Sequence, residues 1–167
     1  IDQEATLLIL PADHYIKNIK NFKQTLKKAI TCARKDFLVT IGIKPNAPSI
    51  GYGYIKVNGK KDGYLVVEKF LEKPDLNRAQ KYFKDKKFFW NSGMFIWKAH
   101  VILQEIEKHL PELGEQLAKL EPVIGTGAYQ STLEHVYGVI RSISIDYGVM
   151  EKASNVFVAK GDFGWSD

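Results

Sequence analysis

The sequence predicts an α/β protein in which helices flank a mixed, mostly parallel sheet. Two observations support this fold class. Residues 5–10 and 37–43 are short, continuous apolar runs, which are typical of strands buried on both faces of a sheet. Between them, apolar residues recur at helical spacing. A strand, a helix and a strand within residues 5–43 form a βαβ pattern, which favours a parallel sheet covered by helices.

The first three elements follow from this pattern. The run at residues 5–10 ends at Pro11 and is predicted to be a central strand. Residues 19–34 are predicted to form an amphipathic helix with its lysines away from one apolar stripe, and residues 37–43 are the second strand. The stripe consists of Phe22, Leu26, Ala29, Ile30 and Ala33.

The rest of the chain alternates short strands and helices. Residues 52–57 and 64–70 are predicted to form a hairpin, because the asparagine and glycines between them permit positive φ angles. Pro74 ends the second strand, and the Asp75 carboxylate can cap a helix that runs to Phe83. The remaining predicted elements are a strand at 88–97, a helix over 102–110 that ends at Pro111, and a strand at 156–159.

Composition and charge indicate which kinds of molecule the protein is expected to bind. The chain has 167 residues, 45% of them hydrophobic, which is ample for a core, and its net charge of +5 suits an anionic ligand without requiring one. The lysine-rich residues 17–28 and 81–87 lie beside amphipathic patterns and are interpreted as solvated helix faces, so we expect no nucleic-acid partner. No apolar run approaches the roughly 20 residues that span a bilayer, so we expect no membrane partner. Cys32 is the single cysteine, and a cytoplasmic setting fits best.

Acidic residues provide candidate metal ligands. Asp13 follows the first predicted strand, so its carboxylate would emerge at the edge of the sheet where α/β proteins gather ligands, and there it can hold Mg²⁺ against a phosphate. The alternative is that Asp13 caps the following helix. Asp167 is the second acidic residue that we consider as a metal ligand. The adjacent His14 is interpreted as a structural or surface residue.

Three further segments carry polar residues at predicted strand ends or beside glycines. Glu72 can accept hydrogen bonds from hydroxyls and Lys73 can hold a phosphate, although the two also fit a solvated charge pair. Asn91 offers a two-way hydrogen-bonding amide, whereas the aromatic residues around it are expected in the core. Asp146 can bind hydroxyls or simply begin a helix. Gly53, in Gly-Tyr-Gly, is compatible with a backbone amide that faces a ligand or with a bend.

Together these segments resemble the sugar-1-phosphate nucleotidyltransferases, specifically the bacterial mannose-1-phosphate guanylyltransferases (GDP-mannose pyrophosphorylases). The resemblance covers nearly the whole chain. It depends on six segments in the family's order, each of which alone would be a weak signal. They are residues 10–14 (LPADH), 51–55 (GYGYI), 70–74 (FLEKP), 90–95 (WNSGMF), 144–151 (SIDYGVME) and 164–167 (GWSD).

The resemblance implies a Rossmann-like nucleotidyltransferase fold and a reaction in which GTP and mannose 1-phosphate give GDP-mannose and pyrophosphate. It further implies that Asp13 and Asp167 share Mg²⁺ and that Lys73 holds the sugar phosphate. Sugar hydroxyls would be bound by Glu72 and Asn91 with help from the Gly53 amide. Asp146 and Tyr147 are further candidates on the sugar side.

The chain also departs from the family. It lacks the glycine-rich G-x-G-x-R loop that binds the nucleotide, and Ile50 stands where the family often has threonine. We therefore interpret residues 1–167 as the central and C-terminal part of one nucleotidyltransferase domain, truncated at both ends and inactive alone. A non-catalytic sugar-phosphate-binding or regulatory module, and a transferase for another sugar such as glucose 1-phosphate, are the alternatives. A homodimer is left open.

Overall fold

A computed structural model describes residues 2–167, which divide into two compact units. The first unit comprises the chain up to Val101 together with Ser154–Asp167, and the second is Ile102–Ala153. Within residues 2–167, no helix combines the length and the apolar character needed to cross a membrane. The assignment of residues 1–167 to one nucleotidyltransferase domain stays a prediction.

Strands dominate the first unit and helices the second, so the predicted α/β class is confirmed. The strands are β1 Thr6–Ile9, β2 Tyr15–Ile16, β3 Leu38–Ile43, β4 Tyr54–Lys61, β5 Tyr64–Leu71, β6 Phe88–Lys98, β7 Val156–Gly161 and β8 Trp165–Ser166. The helices are α1 Ile19–Ala33, α2 Leu76–Lys84, α3 Ala99–His109, α4 Pro111–Ala118 and α5 Tyr129–Val139, with a 3₁₀ turn at Glu121–Val123 and a π-helical turn at Asp146–Met150.

The sheet is mixed, but the expectation that it is mostly parallel is wrong. Its strand order is β1-β6-β3-β7-β5-β4, and β4 also pairs with β6. Among the described strands, only the β3–β7 pairing is parallel. The long strand β6 lies between β1 and β3 and runs antiparallel to both. A continuous apolar run indicates burial on both faces, and an antiparallel strand inside a covered sheet meets that condition equally well.

Strand β1 also differs from its prediction as a central strand. Within the described residues it pairs with β6 alone, so it is an edge strand of the sheet that residues 2–167 form. The side chains of Leu7, Leu8 and Ile9 are 39–41% exposed. The apolar run therefore predicted a strand correctly, but it carried no information about which neighbours that strand would have.

The predicted hairpin is confirmed with a tighter turn. Strands β4 and β5 extend to Lys61 and Tyr64. The connection is therefore the two residues Asp62 and Gly63, with φ angles of 52° and 83°. Two consecutive positive φ angles are typical of the two-residue turns whose twist matches that of paired strands. Gly59, with φ of 76°, lies where the register of the hairpin shifts.

Helix α1 forms as its sequence predicts. The Asn18 side chain accepts a hydrogen bond from the Asn21 N–H at 3.0 Å and caps the first turn. On the apolar stripe, Ala29 and Ala33 are fully buried and pack with β3, β6 and β7, while Phe22 is partly buried against the same core. Because Asn18 is the cap, the alternative that Asp13 caps this helix is wrong.

The other predicted helices and strands are also confirmed. Asp75 accepts a hydrogen bond from the Arg78 N–H at 2.9 Å and begins α2. Pro111 separates α3 from α4, where it occupies the first helical position and so needs no hydrogen-bond partner for its nitrogen. Strands β2 and β8 were not predicted, because two residues are too few to show a period.

Candidate active site

Two segments from distant parts of the chain converge on the middle of β6. One edge of β6 pairs with β3, and the other pairs with β1 through Phe95 and with β4 through Trp90. The residues that follow β1 and those that precede β4 therefore meet beside residues 91–94. Contacts confirm this geometry: the Asn91 N–H donates to the Gly53 carbonyl at 2.8 Å, and a Cβ at Gly93 would lie 3.8 Å from Pro11.

Gly53, Glu72 and Asn91 form the first group of candidate residues. Strand pairing places Tyr54 opposite Leu71, so the residues next to them, Gly53 and Glu72, lie side by side. A Cβ on Gly53 would lie 3.1 Å from the Glu72 Oε2 atom and 3.7 Å from the Asn91 Cβ atom. Glycine at position 53 thus leaves room for the Glu72 carboxylate.

Hydrogen bonds from residues of the sheet fix the orientation of the Asn91 carboxamide. Its Oδ1 atom accepts a hydrogen bond from the Gly93 N–H at 3.2 Å and lies 3.2 Å from the hydroxyl of Thr40. Thr40 is fully buried, and its hydroxyl also lies 3.2 Å from the Met94 carbonyl, so its single proton can serve one of the two acceptors at a time. This network orients Asn91 before any ligand binds.

Asp13, His14 and Asp167 form the second group. Strands β2 and β8 make a two-stranded ribbon in which Tyr15 lies opposite Ser166, and the residues flanking this pair are therefore brought together. One ligating atom from each of the three side chains lies within 4.8 Å of the others. Both carboxylates are exposed, so a cation can reach them from solvent.

His14 is the residue whose position the sequence did not reveal. Its ring lies edge-on to the Trp165 indole, with 5.3 Å between the ring centroids, and its side chain is only 7% exposed. The Trp165 Nε1–H donates to His14 Nδ1 at 3.1 Å, and His14 Nε2 lies 3.5 Å from Asp167 Oδ1. The only sequence signal was its place between Asp13 and the strand residue Tyr15, which does not identify a partner about 150 residues away.

Aromatic rings connect the two groups. The Tyr52 ring lies 5.0 Å from that of Trp90 and 5.1 Å from that of Trp165, measured between centroids. Trp90 precedes Asn91 in β6, whereas Trp165 contacts His14. Trp90 is 5% exposed, which agrees with the expectation that the aromatic residues of this segment belong to the core.

The other candidate residues lie outside these two groups. Lys73 follows Glu72 at the end of β5, is exposed, and forms no ion pair within 4 Å of any residue in the range 2–167. Asp146 and Tyr147 belong to the second unit, where Asp146 begins the π-helical turn and Tyr147 is 45% exposed. Their role on the sugar side stays a prediction.

Known proteins that resemble this chain include nucleotidyl transferases and proteins of polysaccharide biosynthesis. The family described as nucleotidyl transferase matches residues 1–167. The xanthan biosynthesis protein XanB of Xanthomonas campestris pv. campestris (strain B100) is 41% identical over 162 residues, which cover 96% of this chain and 34% of that protein. The mannose-1-phosphate guanylyltransferase of Escherichia coli is 37% identical over 172 residues, which cover 99% of this chain and 37% of that protein.

The fold has a close counterpart among crystal structures. A Thermus thermophilus protein described as mannose-1-phosphate geranyltransferase superposes with a TM-score of 0.86 at 36% identity, covering 96% of this chain and 46% of that one. The chain thus spans about a third of the length of the curated relatives it matches.

Proposed function

Because this chain belongs to the nucleotidyl transferase family, we propose that the protein carrying it transfers a guanylyl group from GTP to mannose 1-phosphate, giving GDP-mannose and pyrophosphate. The observation that carries the proposal is the convergence of the Asp13 and Asp167 carboxylates in one cluster, which the rings of Tyr52, Trp90 and Trp165 connect to the Gly53, Glu72 and Asn91 group. The choice of GTP and mannose 1-phosphate is supported by the 37% identity to the Escherichia coli guanylyltransferase.

The proposed reaction needs positioning and charge neutralisation more than covalent chemistry. A phosphate oxygen of mannose 1-phosphate attacks the α-phosphorus of GTP, a phosphorus–oxygen bond forms, and the bond from that phosphorus to the pyrophosphate leaving group breaks. In such transfers the protein acts mainly by holding the reactants in line and by stabilising the charge on the phosphoryl oxygens. No residue of the chain has to form a covalent intermediate.

The group of Asp13, His14 and Asp167 suits a hard divalent cation. We propose that Asp13 and Asp167 hold Mg²⁺ there. Mg²⁺ prefers oxygen ligands and usually takes one or two carboxylates together with phosphate oxygens and water. Two exposed carboxylates within a 4.8 Å cluster meet this requirement. When bound, the cation would neutralise charge on the reacting phosphates.

The sugar phosphate is proposed to bind on the other side of the Tyr52, Trp90 and Trp165 rings. Glu72 can accept hydrogen bonds from sugar hydroxyls, and Asn91, which Thr40 and Gly93 orient, can contribute its amide. The exposed Lys73 ammonium can neutralise the sugar phosphate, since it has no acidic partner among the described residues. The Gly53 amide is proposed to assist Glu72 and Asn91, and Asp146 and Tyr147 stay further candidates for binding the sugar.

A transfer assay tests the proposal. The protein carrying this sequence is incubated with GTP, mannose 1-phosphate and Mg²⁺, and GDP-mannose and pyrophosphate are quantified. We expect Asp13→Asn and Asp167→Asn to abolish turnover without unfolding the protein, because each removes a charged oxygen ligand. Asp162→Asn is the matched control, since Asp162 is an exposed acidic residue close to Asp167 in the sequence but is not part of the cluster of Asp13, His14 and Asp167.

Other outcomes separate the alternatives. Full turnover of Asp13→Asn or Asp167→Asn at ordinary Mg²⁺ would rule out the metal role of that carboxylate. Faster use of glucose 1-phosphate than of mannose 1-phosphate would overturn the proposed substrate. Calorimetric binding of mannose 1-phosphate without any transfer would favour a sugar-phosphate-binding module.

Two further parts of the proposal concern the protein in the cell. We propose a cytoplasmic location, because the sugar nucleotide chemistry requires cellular GTP and the single Cys32 suits a reducing compartment. A homodimer is a hypothesis that light scattering on the purified protein tests.

A further inference from the structure

We propose that His14 is a positioning residue that orients Asp167 through its Nε2–H group and does not itself bind the metal. This inference rests on the proposed metal role of Asp167. Distance alone does not distinguish the two roles, because His14, Asp13 and Asp167 all offer an atom within the same 4.8 Å cluster. The hydrogen bond from Trp165 makes the distinction.

The Trp165 indole determines which nitrogen of His14 carries the proton. An indole N–H is a donor only, and it lies 3.1 Å from His14 Nδ1. His14 Nδ1 must therefore accept and cannot carry a proton while this hydrogen bond exists. The neutral ring consequently has its proton on Nε2.

The same tautomer directs His14 at the proposed metal ligand. His14 Nε2 lies 3.5 Å from Asp167 Oδ1, so the N–H faces a carboxylate oxygen. This separation is longer than an ordinary hydrogen bond, and such contacts often shorten when an active site binds its substrates. Because the Asp167 side chain is 48% exposed, it can be oriented by His14 and still be reached by a cation.

Neither nitrogen of His14 has a lone pair to offer a metal in this arrangement. A metal ligand must present a deprotonated nitrogen, but Nδ1 accepts from the indole and Nε2 carries the proton. Mg²⁺ also prefers oxygen to imidazole ligands. The surroundings hold the ring in this orientation, since its side chain is 7% exposed and the indole packs edge-on at an angle of 88° between the planes.

Partners that orient a metal ligand contribute to metal affinity, and their loss typically weakens it about 10- to 100-fold. We therefore expect His14→Ala to weaken Mn²⁺ binding about tenfold, measured by electron paramagnetic resonance on the purified protein at about pH 8. His14→Gln can place an amide N–H near Asp167, so it should recover part of this affinity. His135→Ala, at an exposed histidine of α5, is the matched control and should bind Mn²⁺ as the unaltered protein does.

Trp165→Phe tests the indole separately. It keeps an aromatic ring in place but removes the donor, so nitrogen NMR of the metal-free protein should change from one Nε2–H tautomer of His14 to a mixture. Mn²⁺ affinity should fall in this variant, and by less than in His14→Ala.

Several results would overturn the inference. One is a nitrogen nucleus directly coupled to bound Mn²⁺ in pulsed electron paramagnetic resonance, which would make His14 a ligand. Another is unchanged Mn²⁺ affinity in His14→Ala, and a third is an Nδ1–H tautomer in the unaltered protein. If the protein binds no Mn²⁺, the inference fails together with the metal site, while the transfer assay still judges the proposed reaction independently.

Discussion

At the scale of single residues, Gly53 matters because of the atom it lacks. The Glu72 carboxylate occupies space that a Cβ on residue 53 would approach to 3.1 Å. The neighbouring Gly51 differs, since a Cβ there would come no closer than 3.7 Å to the Ser49 hydroxyl. The pair therefore provides a comparison in which only one glycine, Gly53, makes room for the Glu72 carboxylate of the proposed sugar site.

We expect Gly53→Ala to weaken mannose 1-phosphate binding about tenfold, equivalent to about 1.4 kcal/mol, because the Glu72 carboxylate must move away from the new methyl group. Stability should change little, since Glu72 is exposed and its end is flexible. Isothermal calorimetry and thermal unfolding measure the two effects. Gly51→Ala is the control. Equal affinity of the two variants for mannose 1-phosphate would show that the Gly53–Glu72 contact does not contribute to sugar binding.

At the scale of elements, the β2–β8 ribbon joins two motifs that are far apart in the sequence. Besides the strand pairs, the Lys17 N–H donates to the Gly164 carbonyl at 2.9 Å and the Asn18 N–H donates to the Phe163 carbonyl at 2.8 Å. Gly164 has a φ of 63°, and a Cβ there would lie 2.8 Å from the Lys17 Cβ atom. The ribbon thus depends on a glycine for both conformation and close approach.

We expect Gly164→Ala to lower the free energy of unfolding by about 2 to 3 kcal/mol, since a positive φ and a close contact both oppose the new methyl group. Gly59→Ala shares the positive φ, at 76°, but meets nothing within 4 Å, so it should cost only about 1 kcal/mol. Urea titrations of the two variants measure the difference. Equal losses of unfolding free energy would show that the close contact with Lys17 adds no cost to the positive φ angle.

The element scale also shows how far periodicity is informative. Helix α1 and the β4–β5 hairpin are predictable because their apolar spacing, the Asn18 cap and the Asp62–Gly63 turn are all local signals. The neighbours of β1 are not predictable in this way, because pairing with β6 depends on residues about 90 positions away. Two-residue strands such as β2 and β8 have no period at all.

At the scale of the whole molecule, the core of the first unit encloses the single thiol. Cys32 is fully buried in α1, and burial raises the pKa of its thiol to about 12. Because the folded pKa lies above the unfolded value, the neutral thiol contributes stability below pH 9 and this contribution is lost as the pH rises toward 12. The thiol therefore reports on unfolding of this unit.

We expect a thiol reagent at about pH 8 to modify native Cys32 about a thousandfold more slowly than the urea-unfolded chain, since both exposure and ionisation require opening of the core. Absorbance after addition of a disulfide reagent measures the rates. Cys32→Ala supplies the blank, and its stability should also fall less steeply above pH 9. Rapid labelling of the folded protein would contradict a core closed around α1.

The sequence by itself determined the type of most elements, the six segments and the carboxylates, amide and lysine within them, because these are properties of neighbouring residues. Only the tertiary structure decided that β6 separates β1 from β3, that Gly53 stands against Glu72, and that His14 joins Trp165 to Asp167. These facts arise from strand pairing between distant parts of the chain, whose free energy depends on all the partners together. No local pattern contains that information.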